Sequence, residues 1–444
     1  MTSKTLCALI TAAMLPLTAP PVSADEAIGA YLSARQARYE NDFAAAAEYF
    51  TKALAGDPSN PVILENATFA HMALGQFDQA LPIARKMESD DLQSQIAYIA
   101  LIQNEAQNED YDALLKRIED GRGIGPLADG LIAAWAYLGK GDMRTALEHF
   151  DVVADQRGLR SFGLYHKALA LASVGDFESA NAIFAGNEDG PLQSTRSGTL
   201  AWAEVMSQLE RNDDAVALID DVFIADLDPE VAHLRERLAA GEQVPFSRIQ
   251  TAREGLAEVF YSLGRALMSD TGDEYTLLYA RVAERLNPAH VDAILMSAEL
   301  LESLGRYELA TETYRRVPRD NPAFHAAELG RAESLRRAGK TDAAVEVLKQ
   351  LAETHQLPLR LYAMLSEIFS ANETDQWFVH YARAICYERL DQWDKAEADF
   401  RRALELNPGH PQVLNYLGYS LVEHQMKLDE ALEMIEQAVE AQPD

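Results

Sequence analysis

The chain has 444 residues, of which 48% are hydrophobic and 25% charged, with only 17 prolines and 24 glycines; this is the make-up of a folded polypeptide, not of a disordered or collagenous one. Its 70 acids against 39 bases leave a formal charge of −31, which works against binding phosphate backbones or anionic lipid headgroups. The same charge suits basic or apolar partners, or simply solvates outer helix faces.

The first predicted element is a targeting segment. Lys4 precedes a run from Thr5 to Leu17 that is apolar apart from Thr5 and Thr11. Pro20-Pro21 break the run, and Val22-Ser23-Ala24 bring small residues ahead of Asp25. Basic start, short apolar stretch and small-residue site form the layout of a secretory signal peptide. Residues 1–24 are read as that signal, with cleavage after Ala24. The run is too short to span a bilayer, and no later stretch is apolar enough to do so. Cleavage removes Cys7 and leaves Cys386 alone, so no intramolecular disulfide is expected. Cys386 is read as a small buried hydrophobe.

From there a repeat runs along the chain. Asn41-Asp42-Phe43, Gly75-Gln76-Phe77 and Glu109-Asp110-Tyr111 stand 34 residues apart, with Ala46, Ala80 and Leu114 behind them. Gly141-Asp142-Met143 and Gly175-Asp176-Phe177 keep the same step, as do Gly305-Arg306-Tyr307 and Gly339-Lys340-Thr341. Asp391-Gln392-Trp393 leads to Ala396. Asp57-Pro58, Asn287-Pro288, Asn321-Pro322 and Asn407-Pro408 supply stops, because proline cannot continue a helix and disfavours helix in the residue before it. Each period thus predicts one apolar helix, a tight turn at the Gly/Asn-acid step, and a second helix. In the unit from Ala257 to His290, Phe260, Leu263, Gly264 and Leu267 fall at i, i+3, i+4 and i+7, a single helical stripe. Gly264 there admits a close partner helix, with Ala280 and Ala283 as the matching small positions.

These residues resemble the tetratricopeptide repeat, a 34-residue helix-turn-helix unit, over nearly all of the chain. The resemblance implies an all-α fold: an α-solenoid of about ten to eleven helix-turn-helix repeats in a right-handed superhelix. Departures divide it. A loop is altered at Gly121 to Pro126, and the unit at Asn212-Asp213-Asp214 has lost its turn aromatic. The organisation read from these features is an N-terminal array over 25–240, a linker or bend over 241–256 around Pro245, and a C-terminal array over 257–444. An additional helix is expected from Pro358 to Asn372, where Thr341 and Trp393 stand 52 residues apart. The segment from Leu417-Gly418-Tyr419 to Leu432 is similar to the C-terminal part of a group of bacterial tetratricopeptide proteins. In that group the array continues, so the natural chain is expected either to run past Asp444 or to expose its last helix. With the signal, this points to secretion across the inner membrane and a periplasmic or envelope-associated protein.

No residue pattern carries catalytic chemistry. Ten histidines form no H-E-x-x-H or other ligand pair, and His149 and His166 sit singly in helical context. No Cys-x-x-Cys, G-x-x-x-x-G-K-[ST] or G-x-S-x-G is present. No enzyme activity, cofactor or metal is therefore expected. The resemblance instead implies a concave groove lined by first helices. Counting along the units gives Leu329, Glu333 and Arg336 on one helix, Tyr381, Ile385 and Glu388 on a second, and Asn415 and Tyr419 (with Val422) on a third. That mixture suits a peptide or helix and lacks the Lys/Asn array with which chaperone-binding relatives clamp a terminal carboxylate. The function read here is a non-catalytic protein–protein interaction scaffold, with an accessory role in polysaccharide or envelope export as the alternative.

Overall fold

The computed structural model describes residues 24–186, 192, 195–223, 229–268, 272–354, 377–389 and 392–441. Residues 1–23 of the signal read at 1–24, the helix expected at 358–372, the side chain of Cys386 and the chain end at 442–444 lie outside them. The described residues form helices and no strand. In chain order the helices are α1 (Ala24–Tyr39), α2 (Phe43–Leu54), α3 (Pro61–Ala73), α4 (Phe77–Ser89), α5 (Gln95–Gln107), α6 (Tyr111–Glu119), α7 (Pro126–Gly139) and α8 (Met143–Ala154). Then come α9 (Arg160–Ser173), α10 (Phe177–Ala185), α11 (Arg196–Gln208), α12 (Asn212–Val222), α13 (Pro229–Ala239), α14 (Ala252–Leu267), α15 (Asp273–Leu286) and α16 (Val291–Ser303). The last are α17 (Tyr307–Tyr314), α18 (Phe324–Arg337), α19 (Thr341–Thr354), α20 (Trp377–Arg389), α21 (Trp393–Leu406), α22 (Pro411–Glu423) and α23 (Leu428–Ala441). The chain divides into two compact units, unit 1 up to Leu101 and unit 2 from Ile102 onward, with the boundary inside α5.

The tight turn is built from two residues with opposite duties. Gly141 takes φ 82° and ends α7, while the N–H of Asp142 donates back to the Tyr137 carbonyl at 2.9 Å, the six-residue closure of a Schellman stop. The Asp142 carboxylate then accepts from the Thr145 N–H at 3.1 Å and caps α8. Asp42, Asp110 and Asp176 cap α2, α6 and α10 in the same way. The aromatic that follows starts the next helix, and Phe43 is fully buried against Phe69 with ring centroids 6.1 Å apart. One spacing in the sequence thus encodes a stop, a cap and a core anchor.

Unit 1 is a pair of helical hairpins whose first core is mostly alanine. Ala34, Ala37, Ala46, Ala47, Ala53, Ala67 and Ala70 let the backbones of α1 to α3 close on Phe50 and Ile63. In unit 2 most helices pack on their neighbours in sequence. Gly264 lies under Met296 and Tyr279, where a Cβ would press on the Met296 methyl, and Ala280 and Ala283 are fully buried on the partner helix. One core joins α18 to α23, with Ala396 and Phe400 at its centre.

α14 departs from serial stacking. It packs on α15, but also on α7 and α9. Gly255 permits this, because a Cβ there would overlap the Trp135 ring of α7. The residues before it, 242–250, are not helical, yet Val244 and Ile249 are buried. α14 itself begins at Ala252, inside the range read as linker, because Thr251 and Glu254 form a capping box. The turn at Glu210 keeps the left-handed backbone (φ 60°) without glycine.

Candidate functional site

Because α14 returns to α9, a cleft of about 790 Å³ opens in unit 2 between α9, the start of α11, α14, α16 and the start of α18. A smaller cavity of about 340 Å³ adjoins it and shares Tyr165, Ser197, Glu258 and Asp292 as lining.

The wall between them is a hydrogen-bonded cluster. The Tyr165 hydroxyl donates to Glu258 Oε1 at 2.8 Å, and His290 Nε2 sits 3.0 Å from Glu258 Oε2. His290 Nδ1 accepts the Ala293 N–H at 3.2 Å and so caps α16. Burial opposes the Glu258 anion, but the His290 and Tyr165 bonds outweigh it and hold the carboxyl below its usual range. Burial likewise opposes the His290 cation, and Glu258 outweighs it, raising the imidazole. The capping bond pulls the other way, since a proton on Nδ1 would break it. Burial, with the charge and bond of Glu258, pushes the Tyr165 hydroxyl well up.

Behind this cluster lies His166, fully buried. Trp135 Nε1–H can only donate, and it lies 3.2 Å from His166 Nδ1. Nδ1 is therefore the acceptor, and the proton is on Nε2, which donates to Ser262 Oγ at 3.1 Å. The Ser262 hydroxyl in turn donates to the Val259 carbonyl at 3.1 Å. Burial pushes the His166 imidazole down to about 4. His166 is thus a neutral packing residue.

A chain of alternating charges closes the far side. Glu204 accepts from Arg248 at 2.9 Å and from the Ser247 N–H at 2.8 Å. Arg248 also reaches Glu230, Arg196 bridges Glu230 at 2.6 Å to Asp292 at 3.1 Å, and Ser197 adds a bond to Asp292. This network ties the 242–250 segment, α11, α13 and α16 together. The open side of the cleft is aromatic and aliphatic, with Phe162, Tyr261, Leu295, Met296, Ala323 and Ala326, plus Arg265 and Glu299. The Tyr261 ring lies 4.7 Å from that of His290. Burial raises the Glu299 carboxyl, with Arg265 opposing.

The residues read as groove-lining from sequence lie elsewhere. Ile385 is fully buried in the α18–α23 core, so it presents no surface to a groove; Tyr381 and Leu329 pack on the same core. The Tyr381 ring packs against Phe400 of α21 and Tyr416 of α22 and stays partly exposed. Glu333 is paired with Arg336 and Arg337, and Glu388 is half-buried. Asn415 is exposed, as is Tyr419 with 56% of its surface open. Among the described residues no group of three His, Cys, Asp or Glu side chains is placed to hold a metal, and no helix is long and apolar enough to cross a membrane.

Residues 37–105, 295–358 and 377–410 match tetratricopeptide-repeat family models. The chain carries tetratricopeptide repeats in these three stretches. It is 27% identical over 152 residues to a TPR repeat-containing protein of Pseudomonas aeruginosa, covering 30% of this chain and 26% of that one; the match spans about a quarter of that relative's length. Among solved structures it is similar to YrrB, described as a TPR protein with an unusual peptide-binding site, at 17% identity and TM-score 0.21 over 42% of this chain and 87% of that one. It is also similar to the APC/C hetero-tetramer Cut9–Hcn1 at 12% identity and TM-score 0.27 over 95% of both, and to the TPR domain of P58(IPK) at 16% and 0.22 over 90% and 99%. Proteins of this repeat family generally mediate protein–protein interactions.

Proposed function

We propose that the chain is a non-catalytic protein–protein interaction scaffold of the bacterial periplasm or cell envelope, docking a segment of its partner in the cleft between α9, α14, α16 and α18. The observation that carries this is the cleft itself. Its 790 Å³ would hold several side chains, and its lining mixes aromatic, aliphatic and ionic groups as a protein-binding surface does. The ion-pair chain behind it holds the walls in place before any partner arrives, which lowers the ordering cost of binding. The envelope assignment rests on the signal-like segment at 1–24.

Affinity purification from envelope extract tests the role, using the full chain and Ala326→Trp, which fills the cleft from an exposed position. Partners retained by the wild type and lost by the variant are expected. Identical partner sets would exclude the cleft as the docking place. Cell fractionation tests the location: recovery of the chain only with cytoplasmic markers would overturn it.

A further inference from the structure

The cleft holds three carboxylates with different fates. Both oxygens of Glu258 are occupied, one by the Tyr165 hydroxyl and the other by His290. Asp292 is held by Arg196 through both oxygens and by Ser197. Glu299 makes no hydrogen bond or ion pair among the described residues. It is exposed on α16, and it lines the cleft together with Tyr261 and Phe162. Asp292, Leu295, Met296 and Glu299 stand at i, i+3, i+4 and i+7 on α16 and form one stripe along it. That stripe is apolar in its middle and ends on a carboxylate left without a bonded partner. Arg265 faces Glu299 electrostatically without bonding it; the contact its guanidinium makes is with Met268 Sδ at 3.5 Å.

We propose that Glu299 is the receptor for an arginine side chain of the docked partner, with an apolar partner residue seated beside it on Leu295 and Met296. This rests on the cleft being the docking place. A guanidinium fits better than an ammonium for two reasons. Its planar fork pairs with a carboxylate through two bonds, and its face stacks on aromatic rings such as Tyr261 and Phe162. A partly desolvated carboxylate without a partner is raised by burial, and an incoming cation relieves that cost. The formal charge of −31 draws basic segments towards the chain at long range.

The test uses the full chain and a fluorescein-labelled decapeptide of alternating leucine and arginine, with a second peptide carrying citrulline for arginine. Fluorescence anisotropy is read at physiological salt, where general attraction to the acidic surface is screened beyond roughly 8 Å. Three variants are compared: Glu299→Gln, Ala326→Trp, and Glu433→Gln as a control on exposed α23. Glu299→Gln is expected to weaken the arginine peptide at least tenfold and to leave the citrulline peptide within twofold, with Glu433→Gln changing neither. If Ala326→Trp abolishes binding while Glu299→Gln stays within twofold of wild type, the arginine receptor is refuted and the docking cleft stands. If Ala326→Trp leaves the arginine peptide bound at full affinity, the docking cleft itself fails.

Discussion

At the scale of single residues, His166 and His290 divide the pH axis between them. His166 has its folded pKa pushed down to about 4, so below an unfolded value of about 6.5 the unfolded chain takes the proton first. Its contribution is complete above about 6.5 and falls as pH drops towards 4, by at most about 1.4 kcal/mol per pH unit. His290 is raised, so its contribution is complete below about 6.5 and is lost as pH climbs through the folded value. The two slopes occupy different windows and place an optimum between them. His166→Gln keeps an acceptor for Trp135 and a donor for Ser262 but cannot titrate. Its melting temperature, followed from pH 7 down to pH 4, should fall less steeply than that of the wild type; parallel curves would mean His166 is protonated in the fold. A second prediction concerns the backbone. Glu210 stands at φ 60°, a left-handed conformation costing a non-glycine residue roughly 1–2 kcal/mol. Glycine relieves that cost but gives back about 0.4–1 kcal/mol through the freer unfolded chain. Glu210→Gly should therefore raise stability by about 0.5–1 kcal/mol in denaturant unfolding.

At the scale of elements, the hairpin is legible in the sequence because everything it needs is local. Stop, cap and anchor lie within three consecutive residues, and the partner helix follows directly. Ala396 reads as a crossing position, and it has no exposed surface. Ala396→Trp should overpack α20 against α21 at about 1–3 kcal/mol, and a variant melting with the wild type would displace that register. Helix-facing assignments are harder. Counting from Trp377 places Tyr381 and Ile385 on a groove, but which side of α20 is covered depends on α21 and α22 together. Least legible is α14. Its partners Trp135 and His166 lie far back in the chain, and Gly255 reads equally well as a flexible linker or as a site of close approach. Tyr165, Glu258 and His290 give no signal singly; they become a cluster only when α14 meets α9.

At the scale of the whole molecule, the two compact units and the nearest-neighbour coupling of repeats predict that damage stays where it is made. Gly255→Ala forces a Cβ into the Trp135 ring and should cost about 1–3 kcal/mol. Hydrogen exchange should rise in α7, α9 and α14 while residues 43–73 keep wild-type protection. Loss of protection throughout the chain would show a single cooperative block instead. The acidic surface acts at this scale too. In the proposed docking, it would favour the approach of basic partners, and the cleft would select which of them stay.

The return of α14 also orders events in time. A purely serial stack can be completed helix by helix as the polypeptide emerges. Here the surface formed by Trp135 and His166 must wait for Gly255 and Ser262, which are translated about a hundred residues later. At ribosomal speeds of roughly 5–20 residues per second, that surface stays uncovered for roughly 5–20 seconds in every molecule made. During this interval α10 to α13 can form, but the cleft cannot. The proposed docking place is therefore completed only once the start of α18 has been made, and a nascent chain has no full cleft with which to hold a partner before then.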